Sequence, residues 1–303
     1  LSVSVFRKYI DNPRLLYCLA TAKGLTRWIS DELHLKMMYK ALFGVAPDLD
    51  NPRSFNEKMQ WLKLHNHVES YSKVVDKLAV KDWVSERVGR GYVNDTYAVW
   101  QDVDDIDPSV LPKHYVLKTN HDCGGVIICN NPDSFDIALA KEKLRRHLNA
   151  NYYWGSREWP YKNVKPLVFA EEYLERIEWE YQTWNSYGDV KAIGVITEPH
   201  GCNKKRFYDA EWRECPFVSS LPKLEEPVEA PVELMQIIEL SRNLSQDFPF
   251  VRIDFIKTRD GLLRLCEMTL FPAGGFVKWQ PPEWDMQAGS WIDLSRCDYS
   301  GVL

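Results

Sequence analysis

Two acidic residues on neighbouring strands carry the first chemical signal in this sequence. Val251-Arg252-Ile253-Asp254-Phe255 and Leu265-Cys266-Glu267-Met268-Thr269 both alternate in polarity, and Thr258-Arg259-Asp260-Gly261 joins them. Asp-Gly between alternating arms is a strong hairpin signal. With Asp260-Gly261 as a two-residue turn, Arg259 faces Leu262, Asp254 faces Glu267 and Arg252 faces Thr269. Ile253 then faces Met268 and Phe255 faces Cys266, which turns the other side of the hairpin to the core. Two carboxylates directly opposed on a sheet have Cβ atoms ~5 Å apart and repel one another. A divalent cation offsets that repulsion, and oxygen ligands that leave room for phosphates suit Mg²⁺. The plainer alternative is a surface hairpin whose acids point into water. The rest of the chain weighs against it.

A phosphate-binding partner for such an ion is the next thing to seek. His114 to Thr119 reads as a strand that runs through Asn120-His121-Asp122-Cys123-Gly124-Gly125 into a second strand at Val126 to Cys129. Lys118 sits at the end of the first strand. Glycines in the turn let backbone N–H groups approach a phosphate, and the lysine supplies a point charge. By itself this pattern is more often an ordinary hairpin than a phosphate loop. GxxxxGK[ST] and a GxGxxG after a strand are both absent.

The elements that position these groups follow from periodicity. Residues 1 to 70 read as a helical packing region, with Leu33, Met37, Met38 and Leu42 at helical spacing and Ser54 three residues before Glu57 as a capping box. Its Arg14, Arg27 and Arg53 are not singled out by any pattern. From Val74 the texture becomes mixed. Val74 to Val84 reads as one helix ending near Gly89, and Tyr97 to Trp100 as a strand. Asp136 to Ala150 is a basic helix, and Asn151 to Trp159 an aromatic loop. Lys165 to Ala170 is a strand that ends in Glu171-Glu172-Tyr173-Leu174. A hairpin around Gly188, the basic cluster Lys204-Lys205-Arg206 and a helix from Val232 to Asp247 lead into the carboxylate hairpin.

Composition sets the bounds. The 303 residues suffice for a sizeable core, with 45% hydrophobic content and twelve Trp. A net charge of −5 gives no electrostatic case for nucleic acid as the partner. No apolar run approaches the ~18 residues of a membrane span. Leu1 to Ile10 carry Arg7 and Lys8 without an apolar core, so no secretion signal is expected there. Seven cysteines without CxxC spacing read as reduced thiols, which points to the cytoplasm.

Taken in order, Asp76-Lys77, Lys118 with its Gly turn, Glu171-Glu172-Tyr173-Leu174, Arg252-x-Asp254 and Glu267-x-Thr269-x-x-Pro272 resemble the ATP-grasp superfamily. Asn51-Pro52-Arg53-Ser54-Phe55-Asn56-Glu57-Lys58, Arg157-Glu158-Trp159-Pro160-Tyr161-Lys162 and Phe248-Pro249-Phe250-Val251-Arg252 look like signatures of its TupA-like, teichuronopeptide-biosynthesis branch. The resemblance runs from about residue 36 to 293. It implies an α+β, ATP-grasp fold: two α+β lobes (residues 71–170 and 171–303) clasping ATP, behind an N-terminal helical extension (residues 1–70).

By that likeness Lys77 and Lys118 contact the nucleotide phosphates, and His121 to Gly125, with Gly124, form a loop over them. Glu171, Glu172, Tyr173 and Leu174 would be the hinge that reads adenine through backbone groups, with Glu175 or Glu180 near the ribose. Asp254, Glu267 and Thr269 would hold Mg²⁺. Arg252 and Lys118 would stabilise the phosphoryl group in transfer, assisted by Arg206 or a neighbouring lysine. Three departures stand out. Thr269 replaces an Asn, which weakens a second Mg²⁺ site. Asp122-Cys123 replaces Gly and Ser, adding negative charge near the phosphates and, at Cys123, a small filler. Gln182 replaces a Lys, removing one phosphate-facing charge.

The implied activity is ligation: the γ-phosphoryl group passes to a carboxylate, and an amine displaces it to give an amide and ADP. The loop Phe271 to Phe276 would lie at the acceptor or donor. The implied partners are a glycan-precursor carboxylate, such as a uronic acid, and an amine or amino acid. The expected place is the cytoplasm, at the inner face of the membrane beside polysaccharide assembly enzymes. Two other readings are a glycosyltransferase of the same pathway, which lacks a short DxD cluster here, and a nucleotide-binding module weakened by the departures.

Overall fold

The structure, a computed structural model, describes residues 13–197 and 203–297. The expectation about Leu1 to Ile10 lies outside them. Helices Leu16–Ala22, Asp31–Phe43 and Phe55–His65 open the described chain. The third begins at the expected capping box: Ser54 Oγ accepts from the Glu57 N–H at 3.2 Å, and the Glu57 carboxylate accepts from the Ser54 N–H at 3.1 Å. Phe55, Met59 and Leu62 recur at helical spacing and are buried. Phe55 packs on Trp184, Phe250 and Trp279, so this helix shares a core with the larger sheet.

The helix expected from Val74 is two helices, Tyr71–Val75 and Ala79–Val88. Asp76 breaks it, with φ −77° and ψ 114°. Its carboxylate accepts from the Leu78 and Ala79 N–H groups at 2.8 and 3.3 Å, while the Lys77 N–H donates to the Asn120 carbonyl at 3.0 Å. An Asp side chain that satisfies nearby backbone donors competes with helix continuation. The apolar periodicity runs straight across the break, which hides it in the sequence.

Two antiparallel sheets follow. β1 (Thr96–Trp100), β2 (Tyr115–Thr119), β3 (Val126–Cys129) and β4 (Val168–Glu172) form the first, in the order β1-β4-β2-β3. Helix Ile137–Leu148, capped by Asp136, packs Leu144 against Leu117, Val168 and Ala170 of that sheet. A short helix, Tyr153–Ser156, lies in the aromatic loop. The second sheet contains β5 (Ile177–Ser186), β6 (Asp189–Thr197) and β7 (Lys205–Tyr208). After a two-residue strand β8 (Val218–Ser219) it is completed by β9 (Val251–Thr258) and β10 (Leu263–Thr269). Its order is β10-β9-β5-β6-β7, and β8 pairs with β11 (Trp279–Gln280) in a separate ribbon. Helix Leu234–Ser245 covers one face, where Ser241 and Thr183 hydroxyls bond at 2.9 Å. The other face turns toward the first sheet. Among the described residues no helix is long and apolar enough to cross a membrane.

The hairpin β9–β10 pairs Asp254 with Glu267, Ile253 with Met268 and Arg252 with Thr269, as the alternation predicts. It reaches that register by a different route. The connection is a three-residue loop: Thr258 and Leu262 pair through N–H···O at 3.0 Å, and Gly261 sits at φ 90°. That extra residue puts Phe255 opposite Leu265, not Cys266. A bulge between Leu265 and Glu267 then absorbs Cys266 and restores the predicted pairing. Two one-residue offsets cancel.

Candidate active site

Period-two alternation sorts the second sheet into two faces. Glu180 and Gln182 on β5, Gly194 on β6, Lys205 on β7, Arg252, Asp254 and Ile256 on β9 and Glu267 on β10 share the face away from helix Leu234–Ser245. Between this face and the first sheet lies a cavity of about 80 Å³. Val116, Val126, Ile128, Leu174, Ile177 and Ile256 give it apolar walls, and Lys118, Glu171 and Cys266 close one end. An apolar slot with a few convergent polar groups suits a flat heteroaromatic ring. Glu171 is paired on both sides, with Thr96 and Val116, and the Glu172 N–H donates to the Asp95 carbonyl at 2.9 Å. Tyr173 and Leu174 lie past the end of β4 and line the slot. Glu175 turns outward to His114 at 3.3 Å, whereas Glu180 stays on the cleft face.

Glu171 does more than mark the end of a strand. Its buried carboxylate pairs with Lys118 through one oxygen and with Lys81 through the other, the latter at 2.7 Å. Burial acts to raise the Glu171 pKa, but the two lysines outweigh it and hold the group below the usual carboxylate value. Lys81 was not singled out in the sequence. Its spacing from Lys77 on one helical face was the available signal.

The loop after β2 is tightly built. A Cβ on Gly125 would fall 1.8 Å from Thr119 Oγ1, so only glycine fits there, and Gly124 has φ 97°. Lys77 Nζ donates to the Asp122 carbonyl, tying the loop to the helix break. His121 Nε2 contacts the Ala150 carbonyl at 3.0 Å. Asp122 corrects an expectation. Its carboxylate is occupied by the Thr119 hydroxyl and His147 Nδ1, so its charge is spent inside the loop and does not face a phosphate. Cys123 is exposed as a residue, and desolvation around its sulfur, then nearby Glu267, raises its thiol pKa.

The carboxylate pair is offset from within the protein. Arg252 donates from Nε and Nη2 to the two Asp254 oxygens at 2.7 and 2.6 Å, and from Nη2 to Thr269 Oγ1 at 3.1 Å. Here it is the guanidinium, two residues along the same strand face, that neutralises Asp254. Burial raises the Asp254 pKa and Arg252 opposes it. Among the described residues no cluster of three or more His, Cys, Asp or Glu could hold a metal. The oxygen donors that face one another across β9 and β10 are Asp254, Glu267 and the Thr269 hydroxyl, a set Arg252 already holds in part through both Asp254 oxygens and the hydroxyl. That set fits an ion that completes its shell with phosphate oxygens and water.

The charge missing at Gln182 comes from elsewhere. Lys205 reaches across Gly194 and donates to Gln182 Oε1 at 2.5 Å, while Gln182 Nε2 donates to Glu180 at 2.6 Å and to Asp254 at 3.3 Å. A Cβ on Gly194 would lie 3.1 Å from Lys205 Cδ, so the glycine makes the passage. Burial, then the Arg252 charge, lowers the Lys205 pKa. Its neighbour Arg206, expected to assist phosphate transfer, does not reach the cleft. Opposite Val195 on the helix-covered face, Arg206 donates to the Leu224 and Glu225 carbonyls at 2.9 and 2.7 Å and to Glu214 at 3.0 Å.

A second buried pair borders the site. Lys63 Nζ donates to the Ser156 carbonyl at 2.8 Å and to the Gly274 carbonyl, and Ser156 Oγ donates to Glu158 at 2.6 Å. Burial lowers the Lys63 pKa and raises that of Glu158. Glu158 was noted only as part of a signature, and its closeness to Glu267 and Arg252 was not legible.

The sequence model of the family described as "TupA-like ATPgrasp" matches residues 57–293. No curated protein matches significantly. Among solved structures, the chain is similar to the N5-carboxyaminoimidazole synthetase of Staphylococcus aureus (15% identity, TM-score 0.40, 65% of this chain and 44% of that one). It is also similar to the L-amino acid ligase of Bacillus licheniformis (14%, 0.41, 84% and 54%) and the D-alanine–D-alanine ligase of Helicobacter pylori (10%, 0.44, 80% and 70%). The match thus spans about half the length of the first two.

Proposed function

This chain belongs to the TupA-like ATP-grasp family, and from that membership we propose that it is an ATP-dependent carboxylate–amine ligase. The reading extends to its substrates: a uronic-acid-type carboxylate of a cell-surface polysaccharide precursor and an amine or amino acid, joined at the cytoplasmic face of the membrane. The observation that carries it is one cleft between two antiparallel sheets. It holds an apolar slot, a lysine at the slot's end and a directly opposed carboxylate pair.

When bound, Mg-ATP supplies the γ-phosphoryl group that converts the carboxylate to an acyl phosphate, which the amine displaces with loss of phosphate. The chain's own work is positioning and charge neutralisation. Tyr173 and Leu174 border the ring, and Lys118 and Lys77 face the phosphates. Asp254 and Glu267, with Thr269, hold the ion. Arg252 exchanges its hold on Asp254 for the group in transfer, and Lys205 contributes the second cation at that point. Two of the three departures lose their force on this reading, since the Asp122 carboxylate is held within its loop by Thr119 and His147 and Lys205 stands in for a lysine at 182.

The test is thermal melting with saturating Mg-ATP against Mg-UDP-glucose. A ligand at ~100 times its dissociation constant stabilises by ~2.7 kcal/mol, a shift of several degrees. A shift with Mg-ATP is expected, followed by ADP release on addition of an acid and an amine. A shift with the sugar nucleotide alone would overturn the ligase in favour of a transferase.

A further inference from the structure

A cavity of about 580 Å³, well within the size range of small-molecule sites, is not explained by the cleft. Three segments wall it: the N-terminal helices, the aromatic loop and the loop after β10. Tyr152, Trp154 and Phe276 give it aromatic faces, and Arg27 and Lys278 are its charged residues. None of the described lining residues is acidic, in a chain whose net charge is −5. Among the described residues neither cation has a carboxylate partner. The Arg27 guanidinium is held 5.7 Å from the Trp154 ring centroid, leaving its charge to the cavity.

The cavity adjoins the reacting centre. Ser156 and Gly274 line it, and their carbonyls are the ones Lys63 holds. Tyr152 is the common wall: the Glu158 charge, then burial, then the charges of Cys123 and Glu267 raise its pKa, which sets its phenol near Glu158 and Glu267. The Arg27 side belongs to helices that precede the family match at residue 57, so family membership assigns it nothing. This region was expected chiefly to pack, with Arg14, Arg27 and Arg53 able to touch an acidic ligand but none of them singled out.

We propose that this cavity seats the carboxylate-bearing sugar ring, with its aromatic walls against the ring and Arg27 and Lys278 attracting the anion, so that the N-terminal helices select the substrate. The inference rests on the ligase reading for its reaction, but its binding chemistry stands separately.

Nuclear magnetic resonance saturation transfer on the full chain, without nucleotide, tests it with glucuronate, galacturonate, glucose 1-phosphate and glucose as probes. The uronates are expected to bind at least tenfold tighter than glucose. Arg27→Glu and Lys278→Glu are expected to weaken uronate binding tenfold or more while leaving Mg-ATP affinity unchanged. Both side chains are exposed, and an unchanged melting temperature confirms that each variant is folded. Uronate binding that neither reversal moves overturns the inference, as does no sugar binding, or glucose bound as tightly as glucuronate. A preference for glucose 1-phosphate overturns the choice of carboxylate. Failure of Mg-ATP to bind, with uronate binding intact, sinks the ligase reading instead.

Discussion

Replacing Glu171 with glutamine removes one buried negative charge that two half-buried lysines share. The carboxylate side chain is 4% exposed, pairs with Lys118, and accepts from Lys81 at 2.7 Å. Removing one partner of a buried pair costs ~3–5 kcal/mol. At roughly 2 °C per kcal/mol for a chain this size, the nucleotide-free variant should melt ~6–10 °C below the parent. Lys118 also lines the slot, so a bound phosphate offers it a new partner, while Lys81 gains none. About half of the loss, ~1.5–2.5 kcal/mol, should therefore return with the charge-assisted bond to phosphate. Saturating Mg-ATP should narrow the gap between the two proteins to ~3–5 °C. Scanning calorimetry at neutral pH, with and without Mg-ATP, measures both gaps. The pH dependence has a definite sign. Glu171 has a folded pKa below its usual 4.5, so its stabilisation is complete above that value and fades as pH falls through the folded pKa. The gap should close only on acidification below that point. A gap that Mg-ATP leaves unchanged, or widens, refutes the idea that Lys118 passes from Glu171 to a phosphate.

The carboxylate pair should respond asymmetrically. Asp254→Asn leaves Arg252 buried with a neutral partner, so it should abolish ADP release and cost ~3 kcal/mol in a denaturant titration. Glu267→Gln should also abolish ADP release but leave the melting temperature level or slightly higher, because Glu267 accepts no hydrogen bond among the described residues. Full turnover in both variants would remove the metal assignment. Lys205→Met should slow turnover ~100-fold, in the range of a lost transition-state donor, with unchanged turnover excluding a role at the phosphates. Its pKa is lowered by burial, so the folded state releases a proton that the unfolded chain keeps. Parent stability therefore rises with pH between the lowered value and the ordinary 10.5, and the variant's advantage at neutral pH should vanish across that window.

How much of this was legible depends on distance along the chain. The Asp254–Glu267 pairing was, because alternation and a turn fix a hairpin locally. The turn was read one residue short, and the bulge at Cys266 repaired the error for reasons no alternation displays. Asp122 was visible as a residue type but not as a direction, since its partner His147 lies twenty-five residues away on a helix. The Lys205–Gln182 contact needed the strand order β5-β6-β7 and a glycine on the strand between. Lys204-Lys205-Arg206 are all basic, so nothing told which side of a short strand faced the cleft. Strand parity decided it, and it decided against Arg206.

Arg157 has a consequence for what counts as a unit. Its guanidinium is fully buried, donates to the Thr26 and Ile29 carbonyls at 2.9 and 3.2 Å and lies 3.1 Å from Asp31. All three partners come before residue 57, where family likeness begins, and Arg157 is joined directly to Glu158. Trimming the chain to the matched span would remove those three partners and leave the guanidinium the Trp154 carbonyl at 3.3 Å and the Tyr153 and Trp154 rings. The inherited core and the self-sufficient fragment have different borders here, and the earlier border is set by one arginine.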